Sequence, residues 1–177
     1  MLLAAIGYPE LSQPDFEWIQ TIRAQYDVDD YNLIKPHFTF VFPYSDIEKK
    51  NFLRHMDKCV GGIKSIRFII NRVIINADVS GRKWYLFLIP EDGYNEIVNL
   101  HDTLYTGLLS GKLRRDIPYI PHITTGVFNG EQECDKVSDK LNREKLSIKG
   151  QISAIDVVSL EKNKVETIVK FELISNR

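Results

Sequence analysis

Apolar and polar positions divide the chain into segments of two periods. Residues 2–8 form a nearly unbroken apolar run that reads as a short buried strand, stopped by Pro9. Over 14–26, Phe16, Ile19, Ile22 and then Arg23 and Tyr26 recur at helical spacing, with Pro14 in a first-turn position. A strand over 37–42 ends at Pro43. Ser45 and Glu48 have the spacing of a capping box, which predicts a helix to about Cys59, stopped by Gly61 and Gly62. Strands over 66–77 and 82–90 flank a turn at Ser80-Gly81. Ile97, Leu100, Leu104 and Leu108 give one apolar face to a helix over 93–109. A strand over 120–128, a helix over 131–143, and strands over 148–160 and 165–174 around the polar turn "EKNK" complete the chain.

The order of elements repeats. Each half carries a helix, a strand opening on Pro-His-apolar-Thr, a helix and then two long strands. "PHFT" begins at Pro36 and "PHIT" at Pro121, so the two histidines, His37 and His122, are 85 positions apart (122 − 37). The same shift lays Trp84 and Leu86 on Val169 and Phe171. An internal repeat constrains architecture more than any single element does. This one predicts an α+β fold of two similar lobes within one domain over 1–177. The antiparallel sheets would line a central groove, the helices would lie outside, and a pseudo-two-fold axis would set the two motif strands face to face.

Side chains alternate across a strand. Lys35, His37, Thr39 and Val41 therefore share one face of the first motif strand, and Pro36, Phe38, Phe40 and Phe42 share an apolar core face. In the second strand His122, Thr124 and Gly126 oppose Pro121, Ile123, Thr125 and Val127. Each strand presents an imidazole and a hydroxyl on one side, about 7 Å apart. Two facing imidazoles make a general acid and a general base near neutral pH, and two hydroxyls can hold the non-bridging oxygens of a phosphate. Neither histidine has metal-site spacing around it, so no metal and no other cofactor is expected.

Composition narrows the substrate. Of 177 residues, 23 are basic and 24 acidic, for a net charge of −1. A protein that grips long nucleic acid by its phosphates is normally basic, so any nucleic-acid substrate is expected to be held over only a few nucleotides in a local basic cleft. Lys35 shares the face of His37. The "KLRR" run reads either as a solvated helix end whose cations meet the helix dipole or as a source of Arg114 or Arg115 for a substrate phosphate. Tyr8 and Tyr119 lie near strand ends where a base can stack, although packing is the commoner use of such residues. His55 and His101 fall on predicted helices and are expected at the surface or near caps. Cys59 and Cys134 are too few for a disulfide framework and read as buried or half-buried free thiols. The chain opens without a basic leader, and no apolar stretch approaches the roughly 20 residues of a membrane span. A cytosolic monomer is expected.

"PHFT" and "PHIT", one in each half of a chain this size, resemble the two-histidine (2H) phosphoesterase superfamily, which includes the 2′-5′ RNA ligases and the RNA 2′,3′-cyclic phosphodiesterases. The resemblance covers nearly the whole chain, because element order matches along with the motifs. It implies metal-independent cleavage of a 2′,3′-cyclic phosphate or a 2′-5′ phosphodiester, with His37 and His122 catalytic and Thr39 and Thr124 binding phosphate. The low positive charge departs from relatives that act on long RNA, so the resemblance implies a nucleotide or a short RNA end as the partner. Two alternatives stay open: a non-catalytic module that binds a nucleotide or RNA end, and ligation as the reverse reaction. The residues do not say which histidine is the acid.

Overall fold

A computed structural model describes residues 1–176. Two antiparallel sheets form the framework. The first has the order β3-β1-β8-β9, built from Phe38–Tyr44, Leu2–Gly7, Ala154–Glu161 and Lys164–Glu172. The second has the order β2-β7-β4-β5-β6, built from Glu10–Leu11, Ile148–Ile152, Ile66–Ala77, Trp84–Asp92 and Ile123–Phe128. Helices α1 (Gln13–Tyr26), α2 (Val28–Tyr31), α3 (Lys49–Val60), α4 (Tyr94–Leu104) and α5 (Glu131–Asn142) complete the two-lobe α+β architecture. Among the described residues no helix is long and apolar enough to cross a membrane.

The sheets do not follow the halves of the sequence. The region expected as one strand over 148–160 divides at Ser153 into β7, which joins the second sheet, and β8, which joins the first. Each sheet thus runs from a motif strand, β3 or β6, through the strand preceding that motif, β1 or β5, to a long strand from the other half, β8 or β4. The helices cross over as well: α1 packs on β6 and α4 on β3. Gly126 permits the first contact, since a Cβ there would stand 2.7 Å from the Phe128 ring and 3.0 Å from Tyr26 Cβ. One continuous core results. It includes Phe38, Phe40, Phe52, Phe68, Leu86 and Ile97, all buried, and burying each such side chain contributes about 1.5–3 kcal/mol.

Both motif strands carry a bulge immediately after the motif threonine. Ile6 pairs with Thr39 and Ala5 with Val41, which leaves Phe40 as the extra residue. Phe87 pairs with Thr124 and Leu86 with Gly126, which leaves Thr125. A bulge shifts the alternation by one residue. This corrects the expected faces beyond the motifs: Val41 is buried while Phe42 is 46% exposed, and Phe128, in place of Val127, enters the core. Pro43 does not end β3, which runs on to Tyr44. As the outermost strand, β3 tolerates a residue without an N–H.

Other local expectations are also revised. Ser45 and Glu48 form no capping box; α3 begins at Lys49, with Glu48 at the N-cap and no side-chain cap bond. The helix expected over 93–109 stops at Leu104, and a separate turn over Gly107–Leu109 buries Leu109 and exposes Leu108. His55 and His101 are not surface residues, being 9% and 2% exposed. His101 stands one turn after Ile97, on the core stripe of α4. The His55 Nε2–H donates to the Leu104 carbonyl at 2.8 Å, satisfying an acceptor that the end of α4 leaves unpaired. Cys134 is buried and Cys59 half-buried, both as free thiols.

Candidate active site

The first motif is held from behind by a buried cation. Arg23, 2% exposed, bonds through Nε to Asp27 at 2.8 Å and through a terminal nitrogen to the Ile34 carbonyl at 2.8 Å. This anchors the segment leading into β3. His37 then donates from Nδ1 to the carbonyl of Lys35 at 2.8 Å. Phe38 and Phe40 point into the core, so His37 and Thr39 lie half-buried on the opposite face. Tyr8 meets the His37 ring edge-on, with centroids 6.3 Å apart. Thr39 pairs with Ile6, and Ile6 with Asp156, which places this buried carboxyl in the same cross-strand row as the motif hydroxyl.

The second motif repeats the construction. His122 donates from Nδ1 to the Ile120 carbonyl at 2.6 Å, again two residues back. Ile123 and Thr125 are buried, while His122 and Thr124 are half-buried on the other face. The His122 ring lies flat on Phe87, with centroids 3.6 Å apart and planes at 17°. A carbonyl on Nδ1 fixes the proton there in the neutral ring and leaves Nε2 as the acceptor nitrogen. Among the described residues neither Nε2 nor either threonine hydroxyl has a hydrogen-bond partner.

Beside His122 and Thr124 opens a cavity of about 650 Å³. Aromatic rings dominate its walls: Phe42, Tyr44, Tyr85, Phe87, Tyr105 and Tyr119. His37 and Thr39 are not among its lining residues. Tyr119 has one face stacked on His101 at 3.7 Å and 7°, and its hydroxyl donates to the Thr39 carbonyl at 2.9 Å. The Tyr105 hydroxyl accepts from the Phe42 N–H at 3.2 Å and meets the Tyr44 hydroxyl at 3.2 Å. Tyr44, Tyr85 and Tyr105 were not legible as site residues. They belong to separate segments, and Phe42 reaches this cavity only because the bulge at Phe40 turns it outward.

The cations sort differently. Lys35 is exposed, and it is its carbonyl that touches His37. Arg114 lines the cavity but holds Asp116 through bonds of 2.8 and 2.6 Å. Arg115 is exposed and outside the cavity lining. Lys112 lines the cavity, lies over the Tyr44 ring and pairs with Asp46. The "KLRR" run is not a helix end, because α4 ends at Leu104. No cluster of three or more His, Cys, Asp or Glu side chains among the described residues is placed to hold a metal.

Burial lowers the pKa of both imidazoles. For His37 it outweighs the opposing bond to Lys35. For His122 burial is the main cause, and repulsion from His37 adds to it, bringing the value to about 4. At pH 7 these shifts favour the neutral form of both rings.

The 2′-5′ RNA ligase superfamily matches residues 9–164. No curated protein matches the chain by sequence. Among solved structures the fold is similar to that of Kluyveromyces marxianus Usb1, with a TM-score of 0.60 at 9% identity over 97% of this chain and 98% of that one. It is similar to E. coli LigT, solved with 3′-AMP, with a TM-score of 0.58 at 13% identity over 98% of both chains. TT0787 of Thermus thermophilus gives a TM-score of 0.60 at 15% identity over the whole of both chains. Two histidine strands of matching construction and a family match spanning both motifs agree: the chain belongs to the 2′-5′ RNA ligase superfamily.

Proposed function

We propose that the chain is a metal-independent phosphodiesterase that hydrolyses a 2′,3′-cyclic phosphate or a 2′-5′ phosphodiester at a nucleotide or RNA end. One observation carries this reading. Two imidazoles at matching motif positions are each held through Nδ1 by the carbonyl two residues back, and each keeps Nε2 unpartnered among the described residues. One Nε2 takes a proton from water as the water oxygen bonds to phosphorus. The other, protonated, gives its proton to the 2′ or 3′ oxygen as the P–O bond breaks. Thr39 and Thr124 donate to the non-bridging oxygens. A nucleotide suits the aromatic cavity beside His122, and the relatives LigT and Usb1 are described with 3′-AMP and uridine monophosphate.

The test is incubation with 2′,3′-cyclic AMP in excess EDTA. Full turnover to a nucleoside monophosphate is expected. Activity that is lost to the chelator and returns with a divalent cation would overturn the metal-independent mechanism.

The reaction needs one imidazole protonated and one neutral, so the rate follows a bell. Burial lowers both pKa values, one to about 4. In the free enzyme the protonated partner is therefore lost below its ordinary pKa of about 6.5. The optimum of kcat/KM is expected on the acid side of pH 6.5. A bound phosphate favours the imidazolium, so the kcat profile should shift to higher pH. A kcat/KM optimum above pH 7.5 in a pH–rate series would contradict this assignment.

A further inference from the structure

The strand β3 is the outer edge of its sheet, so alternate backbone groups along it have no ladder partner. Two phenols satisfy two of them across the groove. Tyr105 reaches the Phe42 N–H, and Tyr119 reaches the Thr39 carbonyl. The second bond is the more consequential. Tyr119 lies three residues before His122, and Ile120 between them supplies the carbonyl that holds the His122 ring. The same short segment thus holds one motif's imidazole and the backbone of the other motif's hydroxyl residue. Its ring is fixed by the stack on buried His101, and desolvation by burial raises the phenol pKa, so it stays a protonated donor at neutral pH. The repeat provides no counterpart: position 34, offset by 85 (119 − 85), is Ile34.

We infer that Tyr119 is a positioning residue that places the Thr39 hydroxyl relative to the second motif by hydrogen-bonding the Thr39 carbonyl. The inference rests on the proposed function for its kinetic consequence. A pentacoordinate phosphorus must be met by groups from two separate sheets at once. The shared core sets the overall placement of the two motif strands, and the Tyr119 bond ties the backbone of Thr39 directly to the segment that carries His122. A misplacement of about 1 Å can cost on the order of 10²-fold in rate.

Tyr119→Phe keeps the ring and its stack and removes only the donor. With 2′,3′-cyclic AMP as substrate, kcat should fall about 10- to 100-fold while KM changes less than about threefold. In a Thr39→Val background the same change should cost less than about threefold, because the hydroxyl it positions is already gone. Para-aminophenylalanine at position 119 restores a donor and should recover most of the rate. Tyr105→Phe, which removes the neighbouring edge bond without touching Thr39, should multiply with Thr39→Val. Wild-type kcat in Tyr119→Phe, losses that multiply with Thr39→Val, or no rescue by the amino analogue would each overturn the inference. A readout free of turnover separates it from the functional reading. In threonine-methyl-labelled protein, Tyr119→Phe should shift and broaden the Thr39 methyl signal. An unchanged signal sinks the positioning role even if no substrate is ever found, and a changed signal on an inactive wild type sinks only the functional reading.

Discussion

Replacing His37 or His122 with alanine is expected to reduce turnover of a 2′,3′-cyclic nucleotide by about 10²–10⁴-fold in each case. No other imidazole is free to substitute, since His55 bonds the Leu104 carbonyl and His101 is buried between Tyr119 and Asp102. The double mutant should be little worse than either single one, because acid and base act in the same step and removing one already disables it. The fold should survive, and acid stability offers a check on that. His122 has a folded pKa of about 4 against an unfolded value of about 6.5. Its burial therefore contributes stability that is present above pH 6.5 and is lost as pH falls through 4. The His122→Ala protein should lose less stability between those pH values than the wild type does. Steady-state kinetics and denaturant titrations at several pH values measure both effects. Near-wild-type kcat in either single mutant would rule out the two-histidine mechanism.

Thr39→Val and Thr124→Val should each cost roughly 2.7–4 kcal/mol of transition-state stabilisation, about 10²–10³-fold in kcat. Both hydroxyls are half-buried beside their histidines and have no partner among the described residues. Valine preserves shape and strand preference, so only the donor is lost. Thermal midpoints should stay within a few degrees of wild type. Thr125→Val is the informative contrast. The Thr125 hydroxyl is buried and donates to the Leu86 carbonyl at 3.2 Å. That substitution removes a buried hydrogen bond and should lower stability, with a smaller effect on kcat. If Thr125→Val proved the more damaging to kcat, the two threonines would have exchanged roles.

The motif faces were legible because they depend only on alternation within a few residues. Pro-His-apolar-Thr at a strand start puts an imidazole and a hydroxyl on one side wherever that strand goes, and buried Phe38 and Ile123 fix which side is out. The duplication was legible for the same reason: two copies of one local pattern at a constant offset need no tertiary information. The fold class and the family resemblance followed from such short-range regularities.

The bulges after Thr39 and Thr124 were not legible. A bulge is a mismatch in length between two paired strands, and a single strand contains no record of it. The division at Ser153 was hidden in the same way, since the residues on both sides favour strand and only the competition between two sheets separates them. The burial of His55 depended on α3 and α4 meeting, which supplied the Leu104 carbonyl, and that of His101 on the segment before β6, which laid Tyr119 on its ring. The aromatic cavity was assembled from β3, β5, α4 and the segment before β6, so no window of sequence contained it. The sequence determined which groups face the groove, because side-chain direction is a local property of the backbone. Tertiary structure alone decided how far apart the two motifs stand and what surrounds them, because those distances are set by contacts between residues far apart in the chain.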